Sequence, residues 1–159
     1  MGTIKDTKLK IVKNFFSEEQ VKVLNKYVII QHRLNIDRFD FKHNPNCDTY
    51  KYADPLMESL LLCKLDLMEK ETNLKLCPTY SAWRMYTKFA DLTKHVDRHS
   101  CEISVTAMIG SDGTPWPIYI GDKEVELQDG DAVIYLGCEL KHRREKFLGD
   151  WHAQVFFHY

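Results

Sequence analysis

The second half of the chain consists of short β-forming segments separated by tight turns, and this pattern limits the folds that it can adopt. Residues 80–89 alternate between two faces, and residues 101–109 are rich in strand-forming side chains. The runs Gly-Ser-Asp-Gly at 110–113 and Gln-Asp-Gly-Asp at 128–131 are turn signals. Further strand candidates are residues 116–120, 125–127, 132–136 and 153–159. Short strands at this spacing predict an antiparallel sandwich or barrel.

The first part of the chain has a helical period after one short strand at residues 8–13. Ser17 and Gln20 have the spacing of a capping box, in which each side chain bonds the other residue's backbone N–H. Apolar residues then recur at helical spacing to about His32. We therefore predict a helix that begins after Ser17.

A polar and aromatic stretch over residues 34–53 predicts a loop. Because long loops in compact domains are often functional, this loop, with Tyr50 and Tyr52, is a candidate lid or a static cover over the barrel. The Asp-Pro pair that follows favours a helix start, since proline is tolerated at the first helical position. One apolar stripe then continues, and it predicts a second helix over residues 54–71.

Helices packed against a barrel of short strands predict an α+β, mostly β fold. The length of 159 residues suits one domain, residues 1–159. Within it, residues 1–75 supply the N-terminal strand and the supporting helices, and residues 76–159 form the β core.

Composition excludes some classes of protein. The 22 basic and 23 acidic residues nearly balance, which argues against a dedicated nucleic-acid binder. No apolar run is long enough for a transmembrane helix, and the first residues lack the apolar core of a secretion signal. The five cysteines form no CxxC pair, so we expect reduced thiols in a cytoplasmic protein without membrane or nucleic-acid partners. Its oligomeric state is open.

The segment with the most distinctive chemistry is His95-Val96-Asp97. In extended chain, residues two apart point to the same side, so His95 and Asp97 can address one point. His142, at the end of a later strand-like stretch, is the candidate third ligand. Two histidines and one carboxylate form the facial triad of non-haem Fe(II) oxygenases, which leaves coordination positions open. The alternative to a metal site is an ordinary His-x-Asp sequence on a surface loop.

The order of the motifs resembles the 2-oxoglutarate/Fe(II) dioxygenases, particularly the prolyl-hydroxylase-like branch. Residues 83–97 resemble the family's R-x-Y strand and the HxD motif that follows it. Residues 101–109 resemble the next strand, and residues 127–135 the hairpin before the distal histidine. Residues 142–159 resemble the closing strand, so that the similarity covers residues 76–159.

This resemblance implies a double-stranded β-helix, a jelly-roll or cupin-like barrel buttressed by N-terminal helices. It implies that His95, Asp97 and His142 are the metal ligands and catalytic residues. It further implies Fe(II) as cofactor and 2-oxoglutarate as co-substrate, with ascorbate as a further candidate. The implied reaction hydroxylates a C–H bond of an amino-acid or peptidyl substrate, with prolyl as one candidate, and releases succinate and CO2.

One position departs from the family's pattern. Family members carry Arg or Lys nine or ten residues after the distal histidine, where it binds the far carboxylate of 2-oxoglutarate, but this chain has Trp151 and His152 there. A protonated His152, with Gln154 on the same face, is one candidate replacement. Tyr86 matches a family tyrosine that bonds the same carboxylate. The alternative sources of positive charge are Arg84, Lys88 and Arg98.

Arg98, His99 and Arg144 are the candidate substrate-binding residues, and His99 is also a rival metal ligand. Three other functions stay open at this point. The absent Arg or Lys is compatible with a non-catalytic jelly-roll binding module. A non-haem iron enzyme with a different co-substrate is another alternative. A cysteine nucleophile, Cys101 or Cys138 with a histidine partner, is a minor one.

Overall fold

The computed structural model describes residues 2–35 and 49–159. Within these ranges the chain forms four α-helices and ten strands, which makes it an α+β, mostly β structure, as predicted. The helices are α1 (Ile4–Thr7), α2 (Glu18–Asn35), α3 (Pro55–Cys63) and α4 (Leu65–Thr72). The strands are β1 (Leu9–Val12), β2 (Thr49–Tyr52), β3 (Tyr80–Thr87), β4 (Leu92–His95), β5 (Ile103–Ser111), β6 (Ile118–Ile120), β7 (Lys123–Val125), β8 (Ala132–Leu136), β9 (His142–Arg144) and β10 (Trp151–His158).

The strands form two antiparallel sheets. The major sheet has six strands in the order β1-β8-β5-β10-β3-β2, and the minor sheet has four in the order β4-β9-β6-β7. Apolar side chains from both sheets meet between them, among them Met108 and Val133 of the major sheet and Ile118 of the minor sheet. The predicted antiparallel sandwich is therefore present.

The outer face of the major sheet packs against the helices. Along β10, Ala153, Val155 and Phe157 are fully buried in this main core, because alternate residues of a strand point to the same side. Phe15 and Phe16 contact Phe157 from the segment that leads into α2. The other alternate residues of β10 point between the two sheets, so this strand presents a polar row to the interior of the sandwich.

The helix caps follow the sequence pattern. Ser17 Oγ accepts from the N–H of Gln20 at 3.2 Å, and Gln20 Oε1 accepts from the N–H of Ser17 at 3.0 Å. Asp54 caps α3 with its side chain, and proline occupies the first turn. The single helix predicted over residues 54–71 is divided, because Lys64 ends α3 and precedes α4.

The predicted loop at residues 34–53 is wrong at both of its described ends. Residues 34 and 35 belong to α2, and Thr49–Tyr52 form β2, which pairs with β3 at the edge of the major sheet. The rest of the candidate lid predicted over residues 34–53, namely residues 36–48, lies outside the described residues, as does Cys47. The four described cysteines form no disulfide with one another. Among the described helices, none combines the length and the apolar character that a membrane crossing requires.

Candidate metal centre

Two paired strands of the minor sheet hold the histidines of the candidate metal centre. His95 ends β4 and His142 begins β9, and the two residues are partners across the antiparallel ladder. Their ring centroids lie 4.3 Å apart. Asp97 follows shortly after β4, where its backbone N–H donates to the carbonyl of Gly137 at 2.8 Å. Strand pairing therefore brings together side chains that are far apart in sequence.

Backbone carbonyls orient both imidazole rings. Nδ1 of His95 donates to the carbonyl of Thr93 at 2.8 Å, and Nδ1 of His142 donates to the carbonyl of Leu140 at 2.9 Å. These bonds place the proton on Nδ1 and leave each Nε2 lone pair available to a metal. Nε2 of His95 and Nε2 of His142 lie 3.6 and 3.4 Å from Oδ1 of Asp97.

The donor set fits a ferrous ion. The ligand atoms of His95, Asp97 and His142 all lie within 4.8 Å of one another. Bonds of about 2.1 Å at right angles would separate ligand atoms by about 3 Å, so a small contraction would close the three around one ion. Two imidazole nitrogens and one carboxylate form the donor set typical of facial-triad Fe(II) sites.

Asp97 is held as a carboxylate although its side chain is mostly buried. Burial raises the pKa of Asp97, but two effects outweigh it and lower the pKa well below its ordinary value. One is the contact with His142 and His95, whose Nε2 atoms donate to Asp97 when the rings are protonated, and the other is the hydrogen bond from Ser104. Ser104 Oγ donates to Oδ2 of Asp97 at 2.7 Å, which leaves Oδ1 for a metal. The hydrogen bond to Asp97 in turn raises the pKa of His95.

A second cluster shares the same carboxylate. Cys101 and His158 also lie within metal-ligating distance of Asp97. However, His158 Nδ1 and Ser104 Oγ are 3.0 Å apart, and Cys101 Sγ lies 3.1 Å from the hydroxyl of Tyr80. Burial lowers the pKa of His158 to about 4, which keeps the ring neutral. Both clusters therefore share the carboxylate of Asp97.

The ligand atoms face a cavity of about 130 Å³ between the two sheets. The His95 side chain is 41% exposed and that of His142 only 3%, so one side of the centre is open to solvent and the other is enclosed. Apolar Leu92 and Ile118 line the cavity from the minor sheet. The arrangement leaves room next to the metal for a small molecule while it limits the access of water.

Strand β3 brings two of the predicted co-substrate residues to this cavity, Tyr86 and Arg84. Tyr86 is 1% exposed, and its ring packs edge-on against Trp116 at a centroid distance of 4.9 Å. Arg84 is half-buried, and its guanidinium stacks on the ring of Tyr50 at 4.9 Å. Tyr86 thus belongs to the enclosed interior, and Arg84 lies toward the edge strand β2.

Strand β10 carries the other two, His152 and Gln154. Gln154 lines this cavity but His152 does not, and the structure keeps His152 neutral. Burial, reinforced by the positive charge of Arg144, lowers the pKa of His152 to about 3. Nε2 of His152 accepts from the side-chain amide of Gln154 at 3.0 Å, so the two share a face as strand alternation predicts. The role predicted for a protonated His152 is therefore not supported by its surroundings. Its Nδ1 is buried and has no hydrogen-bond partner within residues 2–35 and 49–159.

Of the predicted substrate-binding residues, Arg144 lines the cavity. Its side chain is 4% exposed, its guanidinium lies 4.5 Å from the ring centroid of Trp116, and it donates to the Trp116 carbonyl. Burial lowers the pKa of Arg144 to about 10, so it remains charged at neutral pH.

Arg98 is exposed, and its guanidinium stacks on the ring of Tyr80 at 4.8 Å. His99 is exposed and begins a short 3-10 helix, His99–Cys101, outside the cavity lining.

Sequence analysis does not single out Ser104, Gly137 or Tyr135, although all three contact the centre or its ligands. Ser104 bonds Asp97, and the Tyr135 ring packs edge-on against His142 at 5.0 Å. A Cβ at Gly137 would lie 2.5 Å from Oδ2 of Asp97, so this position requires glycine. No local motif marks Ser104 or Gly137, and Tyr135 is only the last residue of the stretch that resembles the hairpin before the distal histidine. The register of β5 with β8 pairs Ser104 with Tyr135.

Comparison with solved structures identifies the fold. A viral collagen prolyl hydroxylase from Paramecium bursaria Chlorella virus-1, in complex with 2-oxoglutarate, has a TM-score of 0.72 at 8% identity over 99% of this chain and 97% of that chain. HygX from Streptomyces hygroscopicus, with nickel and 2-oxoglutarate bound, has a TM-score of 0.71 at 12% identity over 97% of this chain and 82% of that chain. A Trichoplax adhaerens prolyl hydroxylase in complex with a peptide fragment of hypoxia inducible factor has a TM-score of 0.73 at 12% identity over 98% and 85%.

These likenesses show that the chain has the double-stranded β-helix fold of the 2-oxoglutarate- and Fe(II)-dependent oxygenases. The fold predicted from the sequence resemblance is confirmed. No protein-family model matches the sequence, and no curated protein matches it. The similarity is therefore one of three-dimensional structure, since the sequence identities to these three proteins are only 8–12%.

Proposed function

We propose that this protein is an Fe(II)- and 2-oxoglutarate-dependent oxygenase that hydroxylates a C–H bond of an amino-acid or peptidyl substrate, with a prolyl group as the leading candidate. The observation that carries the proposal is the convergence of His95, Asp97 and His142, with both Nε2 atoms directed at one point beside an enclosed cavity. Two neighbours of the same fold bind 2-oxoglutarate, and a third, a prolyl hydroxylase, is in complex with a peptide fragment of hypoxia inducible factor.

The reaction balances as substrate C–H, 2-oxoglutarate and O2 giving substrate C–OH, succinate and CO2. Bound iron and 2-oxoglutarate supply the oxygen activation that this chemistry requires. The protein's residues orient and shield the reacting groups. The carbonyls of Thr93 and Leu140 fix the tautomers of the two histidines, and Ser104 fixes the rotamer of Asp97.

The exposed side of the cavity suits an extended substrate with an apolar ring. Tyr50, Tyr80 and Phe156 line this cavity together with His95, the more exposed metal ligand. Aromatic faces offer a large apolar contact area to a prolyl ring at little cost in conformational entropy. The cations of Arg84 and Arg98 stack on Tyr50 and Tyr80, which stiffens these aromatic walls.

The test is anaerobic titration with Fe(II) and 2-oxoglutarate, followed in the visible region. We expect a weak metal-to-ligand charge-transfer band in the natural protein, and its loss in His95→Ala. His99→Ala is the matched control, because His99 lies four residues away, is exposed and stays outside the cavity lining. This variant should keep the band.

Turnover separates the proposal from the two alternatives. Oxygen uptake coupled to succinate release in the presence of 2-oxoglutarate would support an oxygenase. Tight binding of 2-oxoglutarate without oxygen-dependent turnover would indicate a binding module instead. Iron binding at His95, Asp97 and His142 without any affinity for 2-oxoglutarate would indicate a non-haem iron enzyme with another co-substrate.

A further inference from the structure

Arg144 is a buried cation beside the candidate metal centre. It lies two residues after His142 on β9, and both side chains are buried on the same side of the strand while Arg143 between them is half-exposed. Two residues along a strand span about 6.7 Å, which is comparable to the length of a five-carbon chain. Both side chains line the same cavity. The geometry thus places a positive charge at a fixed distance from the metal ligands.

The contacts of Arg144 leave its charge without a counterion. Its guanidinium donates to the carbonyl of Trp116 and covers that residue's ring. No carboxylate of residues 2–35 or 49–159 forms an ion pair with it. A guanidinium carries five N–H donors, and a buried charge is costly unless it is paired. An anion in the cavity would remove this cost.

The surroundings of Arg144 contain further groups that can bind an anion. Tyr86 and Tyr135 interact electrostatically with Arg144. His152 is not among the residues that line this cavity, so it is not counted among these groups. Neutral donors around one cation form a typical carboxylate site.

The other cations considered for this role are less suitable. Lys88 is exposed, with its Nζ over the ring of Phe89. Arg98 is exposed and stacks on Tyr80. Arg84 is half-buried and stacks between the rings of Tyr50 and Phe156. Arg144 alone among these cations combines burial, a place in the cavity and the absence of an ion pair within the described residues.

We propose that Arg144 binds the second carboxylate of a dicarboxylic 2-oxo acid, so that the cation for this carboxylate comes from β9 instead of from β10. The inference rests on the proposed function, because the first carboxylate and the keto oxygen of such an acid would bind at the metal. It explains how this chain can select a diacid although Trp151 and His152 occupy the positions where related sequences carry Arg or Lys.

The test measures equilibrium binding by calorimetry in protein loaded with Mn(II), which binds the acid without turnover. Two ligands are compared: 2-oxoglutarate, and 2-oxobutyrate, which has the same chelating end but no second carboxylate. The natural protein should prefer the diacid. Arg144→Met should weaken 2-oxoglutarate binding about 10- to 100-fold, since a charge-assisted bond is lost, and should leave 2-oxobutyrate binding unchanged.

The matched control is Arg143→Met, which removes the neighbouring arginine of the same strand. Arg143 is half-exposed, pairs with Glu145 and stacks on Tyr119, so the preference for the diacid should persist. Arg144→Lys is the second variant in case Arg144→Met does not fold. It keeps the charge but loses the planar fork, and we expect a smaller loss of the diacid preference.

The outcomes separate this inference from the proposed function. If Arg144→Met and Arg144→Lys both keep the natural preference for 2-oxoglutarate over 2-oxobutyrate, the assignment to Arg144 is overturned while the oxygenase proposal stands. If neither acid binds the Mn(II)-loaded natural protein, both proposals fail. Loss of binding for both acids in Arg144→Met, with Mn(II) still bound, would show a general effect on the cavity and would also overturn the assignment.

Discussion

At the scale of single residues, the metal centre depends on hydrogen bonds between its three ligands and residues outside the triad. Ser104 is the clearest example, since its hydroxyl contacts both Asp97 and His158. Partners of this kind fix ligand orientation, and their loss commonly costs about 10- to 100-fold in metal affinity.

We therefore predict that Ser104→Ala weakens Fe(II) or Co(II) binding by about 10- to 100-fold, because Oδ2 of Asp97 loses its donor. Competition titration against a chelator measures the effect. Ser100→Ala is the control: Ser100 is exposed and its hydroxyl does not contact Asp97, so its metal affinity should match that of the natural protein. Equal affinities in all three proteins would show that Ser104 does not orient the ligand.

A second residue-scale prediction concerns stability and pH. The pKa of His152 falls from 6.5 to about 3 on folding, so the unfolded chain binds protons more readily than the folded one. The stabilisation that a neutral His152 provides is complete above the unfolded-state pKa, and it is lost as the pH falls from 6.5 toward 3. In the natural protein this effect lowers the free energy of unfolding between pH 7 and pH 5, and His152→Gln should make that decrease smaller by about 1–2 kcal/mol.

Urea denaturation of the metal-free protein at pH 7 and pH 5 gives the slope directly. His99→Gln is the control for a histidine that is exposed, and its slope should equal that of the natural protein. An unchanged slope in His152→Gln would contradict the neutral, buried state of His152.

At the scale of elements, the sequence predicts some strands well and misses others for a physical reason. The long alternation around Tyr86 predicts β3, and the apolar run after Asp131 predicts β8 with its observed bounds. Strands β4 and β9 have only four and three residues, and they carry Lys94 and Arg143 toward solvent. Such strands have no recognisable alternation, and only pairing with each other and with β6 stabilises them.

The candidate metal centre, too, could be predicted from the sequence only where local motifs mark its residues. The HxD spacing and the later histidine make His95, Asp97 and His142 candidates, and the family resemblance implies them as one ligand set; the structure brings them together. The charged run at residues 143–146 is typical of a solvated edge, and nothing local shows that Arg144 is buried against Trp116. That burial depends on the packing of β9 against the major sheet, which no short motif encodes.

One prediction belongs to the turn between β8 and β9. Gly137 accepts a hydrogen bond from the N–H of Asp97, and a Cβ there would lie 2.5 Å from Oδ2 of Asp97 and from the carbonyl of Cys101. We expect Gly137→Ala to displace Asp97, to lower the melting temperature and to reduce metal affinity by about 10-fold or more.

Thermal unfolding and metal titration are measured on the same samples. Gly113→Ala is the control, because its φ of 90° makes alanine strained, but no heavy atom lies within 4 Å of the added Cβ. This control should lose stability by about 1–2 kcal/mol and keep its metal affinity. If Gly137→Ala also kept its metal affinity, the close packing around Asp97 would not matter for the site.

At the scale of the whole molecule, the core between the helices and the major sheet provides the main apolar stabilisation. Phe157 of β10 is fully buried there, with ring centroids 6.2 Å from Phe15 and 6.1 Å from Phe16. We predict that Phe157→Ala costs about 3–5 kcal/mol in the free energy of unfolding, because it leaves a cavity that the sheet cannot close.

Chemical denaturation measures this cost, with Phe89→Ala as the control. Phe89 is 61% exposed, so its removal should change the free energy of unfolding by about 0.5 kcal/mol or less. A loss in Phe157→Ala as small as that of the control would mean that the helical layer does not pack on β10 as described.

The position of β10 also has a consequence for synthesis on the ribosome. It is the last of the ten described strands in sequence, yet it lies between β5 and β3 in the middle of the major sheet. Until residues 151–158 leave the exit tunnel, β3 and β5 have no partner on their facing sides, and the nascent chain presents two open sheet edges. Cells that translate the codons of β10 slowly should therefore accumulate more chaperone-bound or aggregated product than cells slowed at the helices.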